Sequence, residues 1–251
     1  IDDQSRVRIS QSILIQSDYG ITKKISVTLL FTFIQQQRNI SEFGGGTNTA
    51  TVSGVGDAIL LVKYNLISIS IIDELELSVG AGTKIPLGSS DLKTDGILLP
   101  ADMQPGTGAW DLLLWSYFTN GRLFELPLNL TANFSYRING TNNRFGDKTG
   151  SYKFGNELIT QIGFGYRTDF PVDFTLFSRL RITNQDEFKQ NIIPNTGGIW
   201  LYAVPGTNFK MFDNFVFRLT AEIPIYRYLQ GTQLTTTHTF SASVYYLINN
   251  F

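Results

Sequence analysis

Cysteine is absent from the 251 residues of the chain. That excludes disulfides, thiolate metal sites and a cysteine nucleophile. Histidine is nearly absent too, with His238 alone in the sequence, so a metal site would have to be built from carboxylates, and no EF-hand loop offers them. A Ser/His/acid triad could be drawn only from distant residues, and no Gly-x-Ser-x-Gly elbow supports one. No catalytic residue, no metal and no cofactor is therefore expected, and the chain reads as a non-enzyme. Charge is scarce: 16% of residues are Asp, Glu, Lys or Arg, against about a quarter in typical domains. A net charge of -1, a pI near 5.9 and no run of like charge leave nothing to attract nucleic acid. Long apolar runs are missing as well. The most apolar stretch, 58–72, is broken by Lys63 and Asn65 and falls short of the roughly 18 to 20 residues that cross a bilayer as a helix. The chain starts at Ile1 rather than Met, without a charged and apolar leader; a mature or truncated form is expected, which leaves the compartment open.

What is present is alternation. Segments near 5–17, 21–37, 54–68, 73–87, 107–119, 123–139, 153–168, 172–185, 197–209, 214–228 and 233–250 alternate apolar and polar residues between Gly, Asn, Asp and Pro clusters. Residues Leu126, Leu128, Leu130, Ala132, Phe134 and Tyr136 oppose Asn129, Thr131, Asn133, Ser135, Arg137 and Asn139, so one face is apolar and the other polar. The connections alternate in length. Those near 18–20, 70–73, 120–122, 169–171 and 210–214 are tight; 38–53, 88–106, 140–152 and 186–196 are long and polar, and the last, near Gln230-Gly231, is short. Such a rhythm fits an all-β, antiparallel up-and-down transmembrane barrel better than a sandwich with Greek-key crossovers. One domain over 1–251 is expected. Gly54-Val-Gly56 and Gly80-Ala-Gly82 lack the third glycine and following helix of a dinucleotide site, and within strands they relieve crowding or permit a bend.

The final segment, 235–251, resembles the terminal strand of bacterial outer-membrane barrels, in which a last aromatic residue marks the strand recognised by the assembly machinery; here that residue is Phe251. The resemblance implies the outer membrane of a Gram-negative bacterium, with bilayer lipid and the assembly machinery as partners. Counting back from a periplasmic Phe251 makes every long loop external. Eleven visible strands then start on the outside, whereas such barrels have even strand numbers and periplasmic termini. A barrel of about twelve strands is expected, with one strand missed or upstream of Ile1; the alternative is a chain that starts outside and folds across the mouth. Tyr64, Phe118, Tyr166 and Tyr246 fall near inner strand ends and Phe31, Phe33, Phe134, Tyr136, Tyr226 and Tyr228 near outer ones, the places of interfacial girdles.

A narrower resemblance rests on Ser53-Gly-Val-Gly-Asp-Ala-Ile-Leu-Leu-Val-Lys-Tyr64, Leu77-Ser-Val-Gly-Ala-Gly-Thr-Lys-Ile-Pro-Leu-Gly88, Leu99-Pro100, Gln104-Pro-Gly-Thr-Gly-Ala-Trp-Asp111, Ala132-Asn-Phe-Ser-Tyr-Arg-Ile-Asn-Gly140 and Tyr152-Lys-Phe-Gly-Asn-Glu157. Taken in order, these strings resemble the phenol-degradation meta-pathway (MetA-type) outer-membrane transporters. The resemblance implies passage of small solutes, among them small aromatic or hydrophobic compounds.

Parity on the polar face points Lys63, Glu76, Lys84, Arg137, Glu157, Arg167, Asp173, Arg179, Arg181, Arg218 and Glu222 into the lumen, because a charge on the lipid face costs roughly 2 to 4 kcal/mol near the midplane. Two readings of this lining stand. Opposite charges can neutralise one another and prop a narrow barrel that anchors or docks partner proteins without conducting. Alternatively they form a selectivity lining, anion-leaning through Arg179, Arg181 and Arg218, in a channel that passes small solutes by diffusion. A twelve-strand lumen is far narrower than a general porin's. The only histidine, His238, lies two residues before Phe240 on the same face, the place of an interfacial residue rather than of a lipid-facing hydrolase.

Overall fold

A computed structural model describes residues 6–41, 47–67, 74–94, 96–121, 123, 126–146, 150–212 and 214–248. Phe251 and the turn expected at 70–73 lie outside the described residues. The main sheet contains β1 (Arg6–Gly20), β2 (Ile25–Ser41), β3 (Thr47–Val55), β4 (Ala58–Ile67), β5 (Leu75–Ile85), β6 (Asp111–Asn120), β7 (Leu128–Ile138), β8 (Glu157–Tyr166), β9 (Val172–Thr183), β10 (Gly198–Phe212), β11 (Phe215–Leu229) and β12 (Thr239–Tyr246). Both β3 and β4 pair with β2, and each other strand pairs antiparallel with its neighbour in sequence. Twelve strands thus occupy eleven positions of an up-and-down sheet, curled into a half-barrel. Among the described residues no helix is long and apolar enough to cross a membrane.

The curl follows from the chemistry of two faces. On the convex side Leu60, Val62, Tyr64, Leu114, Phe134, Ile162, Phe164, Leu176 and Val244 are all exposed. So much apolar surface held out from the wall is stable against hydrocarbon, not water. Tyr166, Tyr226, Tyr228 and Tyr246 lie exposed on the same side, as do Phe31 and Phe33. Ladder partners share a face, and the registers Lys63 with Gly80, Gly82 with Leu113, Leu113 with Arg137, Arg137 with Glu157 and Asn208 with Arg218 join the charged positions into the concave one.

Two glycines let neighbouring strands close up on that face. A Cβ on Gly82 would meet the Leu60 carbonyl at 2.2 Å, and one on Gly163 the Leu176 carbonyl at 2.2 Å. Side chains there would force the wall apart. Bulges set the remaining parity. The break at Gly56 and Asp57 offsets β4 from β3 by one residue against β2, so Val52 and Leu61 both face inward. A second bulge, between Pro224 and Tyr226, keeps Glu222 and Arg227 on the concave face despite their odd separation.

Of the boundaries that differ from those the sequence suggests, three have a clear physical cause. The first turn is 21–24, not 18–20; Thr22 Oγ1 accepts the Lys24 and Ile25 N–H groups and closes it, so β1 continues through Gly20. The stretch 38–53 is not loop throughout, since 38–41 continue β2 and 47–53 lie in β3, with Arg38 paired to Ala50 and Gln36 to Val52; the β-branched residues of β3 favour the ladder. The last strand starts at Thr239, later than 233, because Gln233 Nε2 donates to the Gly197 carbonyl and Thr235 Oγ1 accepts from Trp200 Nε1, drawing 233–235 over the mouth.

An arginine in place of Ile162, mid-strand on the convex face, is expected to cost about 2 to 4 kcal/mol, read from urea unfolding in phospholipid vesicles. Asn133→Arg, on the concave face, is expected to cost less; equal costs would reverse the assignment of faces.

Candidate functional site

The segment between β5 and β6 does not stand away from the wall. It turns inward as a plug, beginning at a charged anchor. Lys84 Nζ lies 2.7 Å from Asp57 Oδ2 and 3.0 Å from Asp111 Oδ2, and also donates to Thr107 Oγ1. The Lys84 and Asp57 side chains are only 4% and 7% exposed. Such buried charges persist only when their remaining lone pairs are satisfied. Asp57 accepts the N–H groups of Gly88 and Thr107 and the Thr107 hydroxyl, while Asp111 Oδ1 accepts the Gly140 N–H. Just beyond the anchor the two stems of the plug cross backbone to backbone: a Cβ on Gly106 would lie 2.4 Å from the Gly88 carbonyl carbon.

The plug then builds a small core of its own. Leu99 and Met103 pack against Val52 of β3, with Ala50 and Leu92 at the edge. Gln104 is buried among them with its amide fully used, accepting the Leu92 N–H and donating to the carbonyls of Leu92 and Leu99. One turn of 3-10 helix, Ala101–Met103, presents Asp102 to the concave wall. There Asp102 Oδ2 receives Arg8 Nη1 at 2.8 Å from β1 and Arg38 Nη2 at 2.9 Å from β2. The tip is thus latched by a half-exposed carboxylate, whereas the base is held by buried ones.

Opposite the plug stands a second cover. Residues Thr141–Phe145, Gly150–Lys153, Glu187–Phe188 and Asn191–Ile192 form a four-stranded sheet of their own. Phe145 contacts both Tyr152 and Phe188, and Tyr152 also meets Phe154. Asn142 Nδ2 ties this cover to the plug through Ser90 Oγ and the Thr107 carbonyl. Between plug, cover and the upper ends of β7 to β10 lies a cavity of about 950 Å³, bounded by Arg8 on the first strand and by Thr232–Thr236 ahead of the last. Among its walls, Glu157 holds both Arg137 and Arg181, the latter through Nε at 2.6 Å, and the Arg181 guanidinium stacks 5.0 Å from the Trp200 ring.

The residues singled out by parity fall into four groups. Arg137, Glu157 and Arg181 meet at the cavity. Arg179 pairs with Glu222 at 2.7 Å, Lys63 with Asp18 at 2.8 Å, and Arg218 bonds Asn208 and lies over Tyr245, all below it on the concave face; Glu76 accepts the Ser78 hydroxyl. Asp173 pairs with Lys210, and Arg167, one residue past the end of β8, reaches Glu74. Lys84 belongs to the plug's anchor instead of to an open wall. Sequence reasoning did not single out Asp18, Asp57, Asp102, Asp111, Asp186, Arg8 or Arg38. The parity of β1 and β2 could have found Arg8, Asp18 and Arg38; no periodicity reaches the loop residues Asp57, Asp102 and Asp186. Among the described residues, no group of three or more His, Cys, Asp or Glu side chains could hold a metal ion.

Asp186 is the perturbed acid of the cover. Burial pushes its pKa above the ordinary value, and the charge of Asp102 pushes the same way, against the Tyr152 hydroxyl at 2.6 Å and the Gly155 N–H at 2.8 Å, which favour the ionised form.

No protein-family model matches the sequence, and no curated protein matches it. Among solved structures the chain is similar to an outer membrane channel from Pseudomonas putida F1, with a TM-score of 0.68 and 12% identity over 94% of this chain and 82% of that one. At that identity the likeness is one of fold: a curled antiparallel sheet of the outer-membrane β-barrel type.

Replacing Lys84 by Met, which leaves two buried carboxylates facing each other, is expected to destabilise the protein by about 3 to 5 kcal/mol in urea titrations. For Asp186 the folded state binds its proton more tightly than the unfolded state. Between the ordinary value of 3.8 and the raised one, stability should therefore rise as pH falls. Asp186→Asn should flatten that part of the profile, and an unchanged slope would contradict the assignment.

Proposed function

We propose that this protein is a channel of the bacterial outer membrane, of the phenol-degradation meta-pathway type, that lets small solutes diffuse through a narrow charged lumen. Small aromatic or hydrophobic compounds are the solute class carried over from that resemblance. One observation carries the reading: a wall with exposed large apolar side chains on its convex face and paired charges on its concave one, opening at the long-loop end into a cavity of about 950 Å³. An apolar convex face suits hydrocarbon and a polar concave face suits water. The fold likeness to an outer membrane channel supports it. In this reading the long-loop mouth is external, and Lys63, Glu76, Arg137, Glu157, Asp173, Arg179, Arg181, Arg218 and Glu222 line the conduit, with Arg167 at its inner end. Bilayer lipid surrounds the convex face in this reading.

A second reading has its own observation. The plug is latched to Arg8 and Arg38, and most charges beneath it are paired. A barrel so filled could serve as a non-conducting anchor for partner proteins.

Single-channel recording in planar bilayers separates the two. Small, stepped conductance is expected from the native chain, and Asp102→Asn, which removes the carboxylate shared by Arg8 and Arg38, is expected to raise the mean conductance or open time severalfold. Silence from both proteins, with no swelling of solute-loaded liposomes, would leave the structural barrel standing.

A further inference from the structure

We infer that the cavity at the long-loop mouth is a binding site for small organic anions, specifically a carboxylate on a short apolar body. The physiological use of such a site rests on the channel reading; its chemistry rests on the cavity.

The charges of its walls do not balance. Arg8, Arg38, Arg137 and Arg181 all line it. Two carboxylates serve these four guanidinium groups: Asp102 takes Arg8 and Arg38, and Glu157 takes Arg137 and Arg181. Each carboxylate cancels one of its two partners, which leaves a surplus of two positive charges. The third acid, Asp186, is held by the Tyr152 hydroxyl and the Gly155 N–H and makes no ion pair among the described residues. Even when ionised it offsets only one of the two surplus charges, so the walls stay net positive. A cation entering here would compete for carboxylates that already serve two arginines each. An anion meets guanidinium groups with unspent donors.

Those donors are specific. Arg181 bonds Glu157 through Nε, leaving its terminal nitrogens without a partner among the described residues. The Nε atoms of Arg38 and Arg137 also lack a hydrogen-bond partner among the described residues, but they are buried, so the donors open to a ligand are the terminal ones. Planar guanidinium forks match carboxylate geometry bidentately. The apolar part of the ligand has its own surface in Leu98, Phe145 and Phe188, which share the cavity with the arginines. These low-dielectric walls strengthen the attraction. The volume, about 950 Å³, admits a small organic acid with water.

The probes are butyrate, 1-butanol and butylammonium, which share one apolar body and differ in charge, titrated calorimetrically into the full chain in nanodiscs. Butyrate is expected to bind about tenfold or more tightly than the other two, the worth of a charge-assisted hydrogen bond. Arg181→Gln is expected to weaken butyrate about tenfold. Glu157→Gln enlarges the positive surplus and is expected to tighten it severalfold, a change of sign that damage to the fold would not produce. Equal affinity for butyrate and butanol, a preference for butylammonium, or weakening by Glu157→Gln would overturn the site. Conductance recorded on the same preparations keeps the two readings apart: a conducting protein indifferent to butyrate loses this site and keeps the channel, while a silent one that prefers butyrate keeps the site and loses the channel.

Discussion

The ammonium of Lys84, enclosed by Asp57 and Asp111, is the interaction on which the mouth of the barrel depends. Its three members come from three places: the bulge after β3, the end of β5 and the first residue of β6. Burying them carries a desolvation cost that an ion pair alone does not offset. What offsets it is the set of N–H and hydroxyl groups that the surrounding chain turns toward the two carboxylates, from Gly88, Thr107 and Gly140. Those groups sit at the neck of the plug and at the base of the cover opposite. The anchor therefore fixes where the plug leaves the wall, which way it turns, and where the next long loop begins. Met103, Gln104 and Asp102 reach their positions because the neck is already set.

Below the mouth and at the mouth the concave face follows different rules. Lower down, charges meet in pairs of opposite sign, Arg179 with Glu222 and Lys63 with Asp18, and aromatic rings take the remaining faces of the cations, as Trp115 does for Lys63 and Tyr202 for Arg179. At the mouth one carboxylate serves two arginines, twice over. The wall thus carries a balanced lining beneath an unbalanced entrance. The concave face is net positive at the long-loop end and mixed in charge below it.

The wall was legible in the sequence because its two faces differ in chemistry at every second residue. That contrast placed all eleven strand positions and put Arg137, Glu157, Arg179, Arg181, Arg218 and Glu222 on one face together. Legibility ended where the period ended. The string from Gln104 to Asp111 stood out as a motif, yet nothing in it says that Thr107 and Asp111 meet a lysine from β5. Asp57 lies in a bulge, which has no parity, and Asp102 lies in a single turn of 3-10 helix. The pairing of β2 with β3 was hidden by the string Gly44-Gly-Gly46, which reads as loop, and 233–238 kept the alternation of a strand while Gln233 and Thr235 were taken by Gly197 and Trp200. In each case a tertiary partner, not a local preference, decided the outcome.

Asp102 has one further consequence. It bonds β1, the first strand of the sheet, whose backbone ladder among the described residues runs to β2 alone. The same oxygen bonds β2. The carboxylate therefore works as a mechanical linkage between the plug and the rim of the wall, so that a pull on either is felt by the other. Lifting the plug takes Asp102 from both Arg8 and Arg38, and a displaced β1 withdraws one of the two arginines that hold the plug down. The position of the plug's tip and that of the sheet's first strand are therefore tied to each other through one carboxylate oxygen.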